Sequence, residues 1–123
     1  MEAQADLDFR DKVVVSRDSV TGPGQRLFII DQIFSKVYDR FLMPDEAKAI
    51  KRAIKRTKPP ENGEEAKPSY IRNDDYLIKI TKPKDTPNPE SFSVEFGNRA
   101  KLYFDLNDNT ATGYYTVEAN SSK

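Results

Sequence analysis

The 123-residue sequence contains no histidine and no cysteine. Histidine is the side chain most used for proton transfer near neutral pH, so its absence excludes Ser–His and Cys–His nucleophile pairs within the chain. Without cysteine, neither a disulfide framework nor a thiolate metal site can form. Together these absences favour a non-enzymatic protein that uses no metal ion and no cofactor.

Phosphate-binding loops and apolar spans are missing as well. The five glycines stand singly in turn-forming sequence, so no glycine-rich phosphate loop is present. No apolar run approaches the ~20 residues that a membrane-spanning helix needs. The acidic first residues also lack the hydrophobic segment of a secretory signal. These features predict a cytoplasmic protein that makes no membrane contact.

Charge is abundant but balanced, with 20 cationic and 20 acidic side chains. The balance is not uniform along the chain. Residues 45–58 carry six cations and two carboxylates, a net charge of +4, whereas residues 59–123 carry a net charge of −3. Such a distribution predicts a one-sided positive patch rather than attraction of the whole surface to nucleic acid.

Residues 25–58 predict two helices joined at Met43-Pro44. In the first helix, apolar residues recur at spacings of three and four, which is the period of a helix with one buried face. The second begins at Pro44, which suits a first helical turn, and ends near Thr57 before two prolines. The predicted buried stripe of the first helix is Leu27, Ile30, Phe34, Val37 and Phe41, widened by Ile33 and Tyr38. Phe28 and Ile29 broaden the apolar surface at its N-terminal end, so the helix is expected to be well buried.

The second helix has only a narrow apolar stripe, so most of its surface is expected to face water. Its exposed side is basic, either as a binding surface for phosphate or an acidic protein, or as a solvated face with cations near the negative end of the helix dipole. The six residues of this predicted basic face are Lys48, Lys51, Arg52, Lys55, Arg56 and Lys58.

The last third of the chain alternates apolar and polar residues, the pattern of half-buried strands. The predicted strands lie around residues 76–80, 92–96, 102–106 and 114–117, and a β-branched run at 12–16 adds a short strand before the helices. If Leu102 and Phe104 face the helices, then Lys79, Lys101, Tyr103 and Tyr114 lie on the outer side of the sheet.

These elements predict an α+β fold, because an apolar helix face and an apolar sheet face in one short chain should pack together. We expect an N-terminal short strand and a two-helix segment packed on a C-terminal antiparallel β-meander of about four strands. Residues 1–123 are expected to form a single domain, with flexible tails at 1–11 and 120–123 and a flexible acidic loop at 59–69.

One stretch has the spacing that opens a calcium loop, Asp105-x-Asn107-x-Asn109. It departs from that pattern later, because Thr110 stands where glycine is needed and Thr116 where glutamate is needed. Asp and Asn at a hairpin are expected for turn geometry alone, so no metal site is predicted.

Three functions remain open. The leading hypothesis is a small inhibitor, adaptor or immunity-type protein whose basic helix binds a protein partner with an acidic surface. The first alternative is a single-stranded RNA-binding protein that combines this helix with the sheet tyrosines. The second is a histidine-free ribonuclease, because some small ribonucleases share a helix-then-sheet layout and use Lys, Arg and Tyr. Its residues would be Arg99, Lys101, Tyr103 and Tyr114 or Tyr115. A homodimer through the outer sheet face, where Leu77 lies, also stays open.

Overall fold

Both helices pack on one face of an antiparallel sheet in the computed structural model, which describes residues 11–16 and 22–116. The helices and strands in these residues are β1 (Asp11–Ser16), α1 (Pro23–Tyr38), α2 (Pro44–Arg56), β2 (Ser69–Arg72), β3 (Leu77–Thr81), β4 (Phe92–Phe96), β5 (Ala100–Asp105) and β6 (Thr110–Thr116). Helix α1 lies over β5 and β6, and α2 lies over β2 and β3.

The strand order is β1-β6-β5-β4-β3-β2, with every neighbouring pair antiparallel. Strands β2 to β6 form a meander in chain order. Strand β1, which precedes the helices, pairs with β6 and forms one edge of the sheet. The predicted α+β class is confirmed, but the meander has five strands rather than about four. The additional strand is β2, which sequence periodicity missed because it is four residues long and offers a single apolar residue, Ile71, to the core.

The core lies between the helices and the inner face of the sheet. Val94 pairs with Ile80 on one side and Leu102 on the other, and all three side chains are fully buried. Phe92 and Phe104 face each other across β4 and β5 with stacked rings 4.8 Å apart. Because successive strand residues point to opposite faces, this register turns the intervening residues of each strand to the outer face.

Helix α1 ends earlier than its apolar pattern predicted. Asp39 adopts a left-handed conformation (φ 60°), and its N–H donates to the carbonyl of Ser35 at 2.9 Å, which closes the last turn. Phe41 therefore lies outside the helix and is 59% exposed, so its predicted place in the buried stripe was wrong. Phe28 was also wrongly predicted as buried, because it is about 200° around the helix from the fully buried Ile30 and stays largely in water.

Helix α2 has the predicted start and end. Pro44 occupies the first turn, and the Glu46 carboxylate accepts the backbone N–H of Met43 at 2.7 Å. At the other end the Thr57 hydroxyl donates to the Ala53 carbonyl at 2.6 Å. The same hydroxyl lies 2.6 Å from that of Ser69, which joins the end of α2 to the start of β2.

Several segment predictions fall at the limits of the described residues. Residue Asp11, assigned from sequence to a tail, belongs to β1, whereas residues 1–10 and 117–123 lie outside the described part. The predicted loop at 59–69 is irregular until Ser69, where β2 begins. The predicted turns after β4 and β5 are confirmed, with Gly97 at φ 57° and Asp105 accepting the backbone N–H of Asn107.

Candidate binding cleft

Basic side chains surround an open cleft between the helices and the connection from β3 to β4. The cleft has a volume of about 360 Å³. In the part of the chain that the structure describes, five cationic side chains line it, together with one carboxylate and three apolar side chains. The lining residues are Arg26 and Leu27 of α1; Lys51, Arg52, Ile54 and Lys55 of α2; and Lys82, Glu90 and Phe92 of the β3–β4 segment.

Helix α2 supplies the cationic wall because its buried stripe is narrow. Ile50 and Ala53 are fully buried, and Ile54 is partly buried beside them. The helical period then turns Lys51 and Lys55, which lie one turn apart, away from the sheet. All six predicted basic residues are exposed, namely Lys48, Lys51, Arg52, Lys55, Arg56 and Lys58.

None of these six cations makes an ion pair with another described residue. Instead, the helix stacks like charges one turn apart: Lys48 with Arg52, Lys51 with Lys55, and Arg52 with Arg56. Each such pair costs an isolated helix about 0.2–0.5 kcal/mol. Only the cations of the last turn gain from the helix dipole. The basic face is therefore a mild cost to the free protein, and a bound anion would relieve it.

Lys82 is the buried cation of the cleft. It follows β3 directly, and the alternation of the fully buried Ile78 and Ile80 continues to it, which places its stem on the inner side of the sheet. Its side chain is 4% exposed, and its Nζ lies 2.7 Å from Oε1 of Glu90. The Glu90 side chain is 67% exposed, so the pair joins a buried ammonium to a carboxylate at the mouth of the cleft.

The segment that carries Glu90 is held by Asn88. The Asn88 side chain accepts the backbone N–H of Glu90 at 2.9 Å. Its backbone carbonyl accepts the Thr86 hydroxyl at 2.9 Å and the Ser91 N–H at 3.0 Å. The Ser91 hydroxyl in turn accepts the N–H of Leu106 at 2.9 Å, which ties the segment to the turn after β5. Glu90 is thus presented at a defined place on the cleft wall.

A second cavity of about 380 Å³ lies beside the cleft, towards the β5–β6 turn. The two cavities share Arg26, Ile54, Glu90 and Phe92, so they adjoin, and we call the pair the groove. At the end of the groove away from α2, the lining residues Asn88, Leu106 and Asn109 are uncharged. The groove is therefore strongly cationic at α2 and uncharged at the β5–β6 turn.

The other predicted site residues lie on the opposite side of the molecule. Lys79, Lys101 and Tyr103 alternate with fully buried residues that face the helices, and Tyr114 pairs with Lys101 across β5 and β6. The sheet therefore separates these four residues from the basic face of α2. This placement argues against one nucleic-acid strand contacting both sets.

The residues weighed for a ribonuclease are divided between the two faces. The guanidinium of Arg99 donates to the carbonyl of Val37 at 3.0 Å and lies 5.2 Å from the centre of the Tyr38 ring, so it is held against α1. Tyr115 packs against the core on the helix side. Lys101, Tyr103 and Tyr114 remain together on the outer face.

The side chains with strongly shifted pKa values lie outside the cleft, where α1, α2 and the β2–β3 turn meet. The Arg40 guanidinium donates to both carboxylate oxygens of Glu46 at 2.8 Å, and the Tyr76 hydroxyl donates to Oε2 of Glu46 at 2.8 Å. Arg40, with the Met43 N–H and the Tyr76 hydroxyl, holds the pKa of Glu46 at about 2. Burial and then the Glu46 hydrogen bond raise the pKa of Tyr76 to about 12. Every member of this cluster has a hydrogen-bonding partner. We call the cluster the joint, because it holds α1, α2 and the β2–β3 turn together.

Sequence reasoning found the α2 cations but missed Arg26, Lys82 and Glu90. A signal existed for Lys82, because the period-two pattern from Ile78 and Ile80 extends to it. No group of acidic side chains among the described residues has the geometry of a metal site. No helix in the described part of the chain is long and apolar enough to cross a membrane. Comparison of the chain with protein-family models, curated proteins and solved structures finds no match.

Proposed function

We propose that this chain is a non-enzymatic binding protein, of the inhibitor, adaptor or immunity type, that captures an acidic protein partner. The contact is the exposed cationic face of α2 and the cleft beside it. One observation carries the proposal: among the described residues, five cations and a single carboxylate surround an open cleft, in a chain whose net charge is zero. Such local potential accelerates encounter with an oppositely charged surface and selects among partners.

An acidic protein fits this site better than a nucleic acid does. Leu27, Ile54 and Phe92 are the apolar residues that line the cleft, and we call them the apolar floor. Leu27 and Ile54 are partly buried and Phe92 is 1% exposed. A partner side chain can pack on such a surface, whereas a phosphate backbone cannot. At the end of α2, the carboxylates of Glu61, Glu64 and Glu65 line a cavity together with Arg56, Lys58 and Lys67, so the positive charge of α2 is balanced there. A long polyanion that follows α2 would meet these acidic side chains.

The composition supports the remaining parts of the proposal. Without histidine or cysteine, the chain has no side chain suited to the usual nucleophile–base pairs, which supports binding rather than catalysis. The absence of cysteine is also consistent with a reducing cytosol, where we expect the protein to act. The outer sheet face remains a separate hypothesis for self-association, because Tyr70 and Tyr114 are about half exposed there.

A capture experiment with matched charge reversals tests the proposal. Wild type, Lys51→Glu/Lys55→Glu and Lys79→Glu/Lys101→Glu are immobilised and exposed to a nuclease-treated cell lysate. Both double variants change the net charge equally, but the second lies on the outer sheet face. We expect acidic proteins to be retained by wild type and by the outer-face variant and to be lost from the α2 variant, with melting curves confirming that all three are folded.

Three results would oppose the proposal. Equal retention by all three proteins would remove α2 as the contact surface. Shortening of a labelled single-stranded RNA by wild type would favour the ribonuclease. Nucleic-acid binding would be favoured if the RNA stays intact, binds wild type tightly at about 50 mM salt and dissociates at about 200 mM, and does not bind the α2 variant.

A further inference from the structure

The groove also specifies what part of a partner it accepts, an inference that rests on the proposed function. We propose that the groove binds a short extended segment in which acidic residues are followed by one large apolar side chain. In this complex a partner carboxylate replaces Glu90 as the counter-ion of Lys82. The apolar side chain covers the floor formed by Leu27, Ile54 and Phe92.

The charge of the groove gives the order of the segment. Lys51, Arg52 and Lys55 line only the first cavity, Ile54 and Phe92 line both cavities together with Arg26 and Glu90, and the uncharged residues Asn88, Leu106 and Asn109 line only the second. Acidic side chains are therefore matched at the α2 end, an apolar one over Ile54, and an uncharged polar one beyond it.

Glu90 acts as an internal competitor for this segment. Among the described residues it is the only carboxylate that lines the cleft, it lies 2.7 Å from the Lys82 ammonium, and two-thirds of its side chain is exposed. An exposed carboxylate of this kind can turn towards solvent at little cost, whereas the 4% exposed Lys82 cannot leave the wall. The buried ammonium needs an anion in either state, so a partner carboxylate exchanges with Glu90 rather than adding to it.

The groove is large enough for such a segment. Each cavity, at about 360 and about 380 Å³, lies within the range of about 300–1,000 Å³ that is usual for ligand pockets. The occupant is thus a peptide segment of a few residues. A flat protein surface would leave the floor uncovered.

Labelled hexapeptides test this inference by fluorescence anisotropy with the full-length protein. The probe is acetylated Glu-Asp-Glu-Leu-Asn-Ser carrying a C-terminal fluorophore, and its control has Ser in place of Leu. Because a buried Leu side chain contributes about 1.5–3 kcal/mol, we expect the control peptide to bind about tenfold or more weakly.

Two protein variants test the role of Glu90. Glu90→Gln removes the competitor and should tighten peptide binding about two- to fivefold, the size expected for one partly exposed ion pair. The matched control is Glu95→Gln, a carboxylate between two lysines on the outer sheet face, which should change nothing. Lys82→Met should weaken binding about tenfold, with its fold checked by thermal melting.

The outcomes separate this inference from the proposed function. If Lys51→Glu/Lys55→Glu abolishes peptide binding while the Leu-to-Ser peptide and Glu90→Gln change nothing, the α2 surface stands and the groove segment is rejected. No binding of the hexapeptide at about 1 mM also rejects it, and the capture experiment then decides the function alone. If a single-stranded RNA hexamer displaces the peptide at equal concentration, both the acidic segment and the acidic protein partner are rejected.

Discussion

Replacing Glu46 by glutamine should destabilise the protein at neutral pH and have little effect in acid. The Glu46 carboxylate accepts four hydrogen bonds, two from Arg40 at 2.8 Å, one from Tyr76 at 2.8 Å and one from the Met43 N–H at 2.7 Å. These donors hold the pKa of Glu46 at about 2, compared with 4.5 for an unperturbed glutamate. The folded state therefore stabilises the ionised form of Glu46 more than the unfolded state does.

The magnitude follows from that pKa difference. A difference of one in pKa corresponds to about 1.4 kcal/mol, so ionised Glu46 contributes at most about 3 kcal/mol to the free energy of unfolding. The Glu46 side chain is 14% exposed, but that of Arg40 is 35% exposed, and solvent screening lowers the contribution to about 2 kcal/mol. Because the folded-state pKa is depressed, this contribution is complete above about pH 4.5 and is lost as the pH falls through about 2.

Urea unfolding followed by far-UV circular dichroism, at pH values from 7 to 2, measures the effect. We expect wild type to exceed Glu46→Gln by about 2 kcal/mol at pH 7, with the difference closing below pH 4.5. The control is Glu65→Gln, which makes the same chemical change in the exposed loop before β2 and should leave stability unchanged at every pH. A difference that stays constant from pH 7 to pH 2, or none at pH 7, would refute this account of the joint.

Three further predictions concern side chains away from the cleft. In an ultraviolet titration, one of the six tyrosines should ionise near pH 12, and Tyr76→Phe should remove that late step. Gly113→Ala should destabilise the fold by more than about 2 kcal/mol in urea unfolding, because a Cβ on Gly113 would overlap the backbone carbonyl of Lys101, and an unchanged midpoint would contradict this close approach. Phe34→Ala should cost about 3–5 kcal/mol, because its ring is fully buried with edge contacts to two other aromatic rings, whereas Phe28→Ala should stay within about 0.5 kcal/mol. Equal effects of the two phenylalanine variants would contradict the assigned burial.

The sequence was sufficient for the fold class because the apolar periods are strong in α1 and in β3 to β5. It was insufficient where one local conformation decides the outcome. Nothing in the apolar pattern marks Asp39 as the left-handed residue that ends α1, so Phe41 was placed on a helix face that does not reach it. Strand β2 was not predicted because it is defined by its pairing with β3, and a segment of four residues is too short to show a period of its own.

The candidate site divides in the same way. Five of the six predicted cations could be read from the sequence because one helix presents them on its surface, and Lys58 follows that helix directly after Thr57. Arg26 and Glu90 reach the cleft only through tertiary contacts between α1, α2 and the β3–β4 segment. The placement of Lys79 and Tyr114 on the outer face followed from alternation once Leu102 and Phe104 were assigned to the helix side, and the register of the sheet agrees with it.

The pairing of β1 with β6 has a consequence for synthesis of the chain. Asp11 pairs with Thr116, so about 100 residues must be made between the two partners. At about 5–20 residues per second, β1 waits for about 5 to 20 s after it is made before its partner exists. During this time the helices and β2 to β5 can assemble among themselves, with β1 left out. Strand β1 is therefore made before β2 to β6 but can pair with β6 only after all of them have been made.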